Sequence, residues 1–242
     1  MRRRSAGVHP AEELISRRVA QADAHDPDRV IRVLEPLVLD ARRERLREVT
    51  NHRLGSVAVV FDAPHDPHNG AAVVRTCEAF GVHSLHVVES REAFLVATSV
   101  ARSAEKWVDV RCHKSADLAI RELEAGGFEL VAAQPDGELL PEDLARVPRL
   151  ALVLGNERDG ISEPLLEACG RSVRVPMRGF VESLNVSVTA AILLAAATAG
   201  RAGDLPAETR RRFYARCLYL SVAHAEDVLA LGRETSEVPG EP

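Results

Sequence analysis

Hydrophobic positions along the chain change their period near residue 54. Residues 11–51 carry apolar side chains at helical spacing, Val30, Leu34, Leu37, Val38 and Leu46 among them, interrupted at Pro27 and Pro36, which predicts a helical N-terminal extension. Val57-Ala58-Val59-Val60-Phe61 then runs apolar without alternation, the pattern of a short strand buried on both faces. Further strands are predicted at Leu85-His86-Val87-Val88, Trp107-Val108-Asp109-Val110, residues 128–133, Leu150-Ala151-Leu152-Val153-Leu154 and Ser172-Val173-Arg174-Val175. Helical spacing returns at residues 69–80, 116–125 and 163–168, in an alanine-rich helix from about Leu184, and in one C-terminal helix over residues 208–231. Strands alternating with helices imply an α/β fold, a mostly parallel sheet flanked by helices, with ligands at the carboxyl ends of the strands. The expected division is residues 1–53 as the N-terminal extension, 54–200 as the main domain, and 201–242 as a C-terminal helix and tail.

Two of these segments are unusual in their polarity. Residues 188–199 have almost no polar face, so this helix is expected in the core or in a subunit interface. Arg75 sits within the apolar helix of Val73, Val74, Cys77 and Phe80, and a partly buried guanidinium there is expected to need a partner, with Glu78 as the nearest candidate.

Composition narrows the class without naming a function. The 242 residues are 46% hydrophobic and 28% charged, the balance of a globular chain with a single large core, and only 4% aromatic, so that core is built mainly from Leu, Val and Ala. A net charge of -5 lacks the overall basic footprint of a non-specific nucleic-acid binder. Arginine is nevertheless clustered at Arg2, Arg3 and Arg4, at Arg42, Arg43, Arg45 and Arg47, and at Arg210, Arg211, Arg212 and Arg216, as solvated helix faces or as local basic patches. Cys77, Cys112, Cys169 and Cys217 are far apart and form no C-x-x-C pair, so reduced thiols are expected. His65 and His68 lie beside prolines in an expected exposed loop, and no metal is expected. The basic start leads into polar sequence and no long uncharged apolar stretch follows, so no membrane span is expected and the compartment is expected to be the cytoplasm.

Candidate chemistry gathers where predicted strands end in loops of small and polar residues. The first such segment runs from Asp66-Pro67-His68-Asn69 to Arg75, and an amide at a helix start either caps the helix or binds ligand. The second is Leu154-Gly155-Asn156-Glu157-Arg158-Asp159-Gly160-Ile161, whose glycines let backbone approach a ligand closely and whose Glu157 supplies an acceptor. It contains no G-x-G-x-x-G phosphate cradle and no Walker lysine, and the missing Gly-rich turn after the first strand disfavours a nicotinamide-binding enzyme. The third, Val175-Pro176-Met177 through Ser183-Leu184-Asn185, places Ser183 and Asn185 at the start of the apolar helix, where capping is the plain alternative to a functional role.

These three segments, in this order, resemble the ordered motifs of the SPOUT-class RNA 2'-O-ribose methyltransferases. The likeness runs from about Asp40 to Ala199 and is closest to the TrmH-like, tRNA guanosine-18 group. The resemblance implies a C-terminal deep trefoil knot, a homodimer, S-adenosylmethionine as cofactor and a tRNA or rRNA substrate. By motif position it implies Arg75 as the catalytic arginine, with Asn69, Glu157, Ser183 and Asn185 beside it. Leu154, Gly155, Asn156, Gly160, Ile161, Val175, Met177 and Leu184 correspond to the cofactor pocket. Asp66 stands where a basic residue is common in this group, and Arg178, Glu182 and Thr189 also depart from it. The resemblance implies 2'-O-methylation of guanosine 18 in the tRNA D-loop. Alternatives are ribosomal RNA or another tRNA position, or a non-catalytic RNA-binding assembly protein of the same fold.

Overall fold

The computed structural model describes residues 10–88, 104–156 and 158–234. Six parallel strands, β1 (Leu54–Asp62), β2 (Val82–Val88), β3 (Asp109–His113), β4 (Glu129–Ala133), β5 (Leu150–Leu154) and β6 (Arg171–Val173), form one sheet in the order β3-β2-β1-β5-β4-β6. The central strand β1 pairs with β2 on one side and β5 on the other, and its residues from Val57 to Phe61 are inaccessible on both faces. That burial explains why the run is apolar without alternation.

Alternate residues of the strands feed two cores. Val57, Val59, Phe61, Leu85, Val87, Leu150, Leu152 and Leu154 face α4 (Pro67–Ala79) and α7 (Val186–Thr198). Ala58, Val60, Ala151 and Val153 face α5 (Ala116–Ala125) and α6 (Glu163–Ala168). A third cluster lies outside the sheet, where α1 (Pro10–Ala24), α2 (Pro27–Leu34) and α3 (Asp40–Asn51) pack with α8 (Ala207–Ser221) and α9 (Ala225–Glu234). Val30, Leu34, Phe213, Leu218 and Leu229 are its buried centre, so the two chain ends share one helical layer.

Two arginines fasten the elements around the sheet, and Arg53 does so where the sheet meets the helical layer. Arg53 is 1% exposed, lies over the Phe213 ring and contacts Glu78 at 3.3 Å. Arg201, just past α7, donates to the carbonyls of Ala197, Pro148, Leu144 and Val147, fastening the end of α7 to the turn before β5. A planar guanidinium with five donors suits this convergence of carbonyls, and an ammonium does not.

Four expectations are corrected. The strand expected over Trp107-Val108-Asp109-Val110 begins at Asp109 and runs to His113, while Trp107 closes a 3-10 turn and packs against the helical layer. The strand expected from Ser172 to Val175 is β6, Arg171–Val173. The single C-terminal helix is two, because Val222 is extended and His224 adopts a left-handed φ of 53°, which turns α9 back against α2. Arg75 is exposed, and Glu78 pairs with Arg53 instead. Helix geometry gives the reason: Val73, Val74 and Cys77 span an arc of about 100°, and a residue one position beyond Val74 falls on the opposite side.

Candidate active site

The carboxyl ends of β4, β5 and β6 and the start of α7 enclose a cleft of about 500 Å³. Leu154, Ile161, Val173, Val175, Met177 and Leu184 give it apolar walls, while Gln134, Asn156, Ser183 and Asn185 contribute polar groups. The volume and the mixture of apolar wall with a few polar groups suit a ligand of nucleoside size.

Its floor depends on one close backbone approach. At Gly155 a Cβ would stand 2.3 Å from the carbonyl carbon of Gly160, so only glycine fits. Asn156 and Gly160 exchange backbone hydrogen bonds of 3.0 and 3.2 Å, and the Asn156 side chain accepts from the amides of Arg158 and Asp159 at 2.9 and 2.8 Å. Gly160 takes a φ of 72°, which a side chain would strain. The turn is thus closed on itself and held to the sheet by Asp62, whose buried carboxylate accepts from the Ser162 amide at 2.6 Å. Sequence reasoning missed Asp62; an acid closing an otherwise apolar strand was the available signal.

The mouth of the cleft is set by the start of α7. Asn185, not Ser183, is the N-cap: its Oδ1 accepts from the Ser187 amide at 2.8 Å and from the Ser187 hydroxyl at 2.6 Å. Its Nδ2 donates to Oδ1 of Asn69 at 3.0 Å. Asn69 is buried in the first turn of α4 and does not cap it; Asp66 does, accepting from the His68 amide at 2.8 Å. Asp66 therefore has a structural use where a basic residue is common in the resembled group. His65 and His68 are exposed, and His65 lies 3.7 Å from Asp159 across the two loops.

Of the residues singled out in the sequence, Leu154, Gly155, Asn156, Gly160, Ile161, Val175, Met177, Ser183, Leu184 and Asn185 all line the cleft. Asn69 reaches it through Asn185. Arg75 does not line it; six residues along α4 from Asn69, it stands about 9 Å further down the helix on a different face. Glu157 lies outside the described residues. Ala133, Gln134 and Pro135, at the end of β4, line the cleft and were not anticipated. Glu182 and Thr189, marked in the sequence as departures, also line it.

Residues 56–195 match the model of the SpoU rRNA Methylase family. The chain belongs to this family. Among relatives of this SpoU methylase, a tRNA (guanosine(18)-2'-O)-methyltransferase of Thermus thermophilus is 35% identical over 157 residues, covering 64% of this chain and 80% of its own. A 23S rRNA (guanosine-2'-O-)-methyltransferase of Nitrosomonas europaea is 37% identical over 141 residues, covering 57% of this chain and 54% of its own. The crystal structure of the A. aeolicus TrmH/SpoU tRNA modifying enzyme superposes with a TM-score of 0.67 at 28% identity, covering 76% of this chain and 98% of that one. The matched residues include all three loops that build the cleft.

Proposed function

We propose that this SpoU methylase transfers a methyl group from S-adenosylmethionine to a ribose 2'-oxygen of tRNA, with guanosine 18 of the D-loop as the target. The observation that carries the reading is the cleft itself, where three separated segments close round one space of nucleoside size within the matched region. The tRNA target rests on the likeness to the Thermus thermophilus enzyme and on coverage of most of that chain.

When bound, S-adenosylmethionine supplies a methyl group already activated by its sulfonium. Leu154, Ile161, Val175, Met177 and Leu184 exclude water and supply apolar contacts for a purine, while Gly155 and Gly160 let the turn close against the ligand. Asn185, held by Asn69, and Ser183 orient polar groups at the mouth; Glu157 is assigned to the same site by motif position. Arg75, an exposed cation outside the cleft of its own chain and with no ion pair among the described residues, is assigned by motif position to stabilise the alkoxide that develops on the RNA ribose. The ribose proton leaves to an RNA phosphate oxygen or to solvent water. Holding the oxygen in line supplies about 7 kcal/mol or more of the rate enhancement. No step is assigned to a metal.

Residues 54–200 form the proposed methyltransferase domain, with residues 1–53 and 201–242 as extensions that meet RNA. The described arginines of the two clusters are largely ion-paired, Arg43 with Asp40, Arg45 with Glu48, Arg47 with Glu35, Arg212 with Glu208 and Arg216 with Asp23. RNA contact there proceeds by exchanging these partners for phosphate and weakens as salt rises. A trefoil knot is proposed from the backbone around β6. The Gln134 amide bonds the Val173 carbonyl, while Leu139 bonds Ser172 and Arg174 bonds Leu139. A Cβ on Gly137 would stand 2.4 Å from Val173, so the loop after β4 lies close against β6. A homodimer is proposed from α7, whose Val188, Ile192 and Ala195, continued by Ala199 at its C-cap, form an exposed apolar stripe beside its buried face. No described helix is long and apolar enough to cross a membrane, and a cytoplasmic location is proposed.

The test is transfer of labelled methyl from S-adenosylmethionine to tRNA transcripts. Incorporation that disappears with 2'-deoxyguanosine at position 18 is expected. Incorporation only into 23S rRNA fragments would favour the second relative's target, and calorimetry without cofactor binding would favour an assembly protein.

A further inference from the structure

On the sheet face away from α4 and α7, two histidines of adjacent strands meet. His86 of β2 and His113 of β3 are 3% and 7% exposed, their rings are within 5° of parallel, and His86 Nδ1 lies 3.0 Å from His113 Nε2. Glu122 of α5 stands over them with one carboxylate oxygen 3.9 Å from His113 Nδ1. One ligand atom from each of the three lies within 4.8 Å of the other two. We propose that His86, His113 and Glu122 form a site for a divalent transition metal of the zinc class, which fastens the sheet edge β2–β3 to α5.

The donor chemistry selects the ion. Two imidazole nitrogens and one carboxylate oxygen suit zinc and its neighbours in the first transition row, whereas calcium and magnesium prefer all-oxygen sets. Three protein ligands leave a fourth position for water. In tetrahedral zinc, ligand atoms stand about 3.3 Å apart, as bonds of about 2.0–2.1 Å require. The histidine nitrogens at 3.0 Å need only a slight parting, and the exposed Glu122, in a set whose ligand atoms already lie within 4.8 Å of one another, has room to close the remaining distance.

The two imidazoles already meet nitrogen to nitrogen. Between them they share one N–H···N hydrogen bond, and on metal binding that proton moves to another nitrogen of the same ring with no net release. Arg111 bridges Asp109 and Glu122, bonding the oxygen of Glu122 that does not face His113. Its positive charge opposes a cation, but the bond also fixes the carboxylate, as outer hydrogen bonds to metal ligands do. None of the three residues lines the methyltransferase cleft, so the proposed metal is structural and independent of the methyl-transfer reading.

The sequence gives little sign of this cluster. His86 and His113 are brought together by the pairing of β2 with β3, and Glu122 by the docking of α5 on that face. The histidines conspicuous in the sequence, His65 and His68, are instead exposed.

The experiment strips the full chain with a chelator and titrates it with zinc by calorimetry and with cobalt by visible absorption. Expected are one zinc per chain, a tetrahedral cobalt spectrum and a raised melting temperature. Glu122→Gln, a change at an exposed side chain that leaves the histidine pair intact, is expected to weaken zinc at least about tenfold. His113→Ala is expected to abolish the cobalt spectrum. Absence of stoichiometric binding by the parent chain would overturn the site in favour of a neutral, hydrogen-bonded histidine pair. Binding unchanged in Glu122→Gln and His113→Ala would place the metal on surface histidines and equally overturn it.

Discussion

Asn185 donates to Asn69 across 3.0 Å, linking the first turn of α4 to the cap of α7 at the mouth of the cleft. The same Asn185 side chain accepts from Ser187, so one amide both starts the helix and ties it to α4. Asn185→Ala is therefore expected to cost about 1 kcal/mol of stability through the lost cap and to reduce methyl transfer more than that loss explains. Urea unfolding beside initial rates checks this. Asn185→Asp keeps the cap but loses the donor to Asn69, so it is expected to restore stability without restoring the rate.

Gly155→Ala places a methyl against the backbone of Gly160 and Ile161, neither of which is the end of a flexible side chain. Loss of cofactor binding by calorimetry, in a chain that still folds, is the expected result. Gly160→Ala meets no neighbouring atom and strains only its own φ, at about 1 kcal/mol, so binding is expected to be weakened and not lost.

Arg201→Ala strips partners from the carbonyls of Leu144, Val147, Pro148 and Ala197 together. A loss of about 2–3 kcal/mol is expected from denaturant unfolding. Arg201→Lys is expected to recover only part of it, because three donors on a flexible stem cannot meet four carbonyls.

His83 gives folding a pH dependence. Its ring is buried edge-on against Phe213, 5.1 Å between centroids, and Nδ1 has no hydrogen-bond partner. Desolvation pushes the imidazole well below its ordinary 6.5, opposed by Asp109 and reinforced by Arg216, Arg53 and Arg111. The unfolded chain then binds the proton more readily than the folded one. Stability present above about pH 6.5 is therefore lost as pH falls towards the depressed folded value. Urea midpoints measured down to about pH 5 are expected to fall, and His83→Leu is expected to make that part of the profile shallower, the rest of the slope coming from His86 and His113, which burial depresses in the same direction.

The sheet was legible because its strands are uninterrupted apolar runs, and β5 coincides with Leu150 to Leu154. The strand order was not, since periodicity reports which residues are buried and not which strands are neighbours. The cleft-lining residues were legible only through the combined motifs; Gly155 is explained by a contact with Gly160 that requires the folded turn. Arg75 was misplaced because apolar neighbours in sequence suggested burial, whereas the helix turns it outward. The break before α9 rests on a left-handed His224, a residue type that does not announce that conformation.

Arg75 decides whether the cleft is a site of ribose methylation. Exposed and without an ion pair among the described residues, it can be removed with little structural penalty. Labelled-methyl transfer to tRNA by the parent chain and by Arg75→Ala, beside cofactor calorimetry and melting of both, separates chemistry from folding. Parent activity, with unchanged cofactor affinity and melting but at least about a hundredfold slower transfer in the variant, is expected when one charged donor at a developing oxyanion is lost. Near-normal transfer by Arg75→Ala would contradict this role, and failure of the parent chain to bind S-adenosylmethionine would contradict the reaction itself.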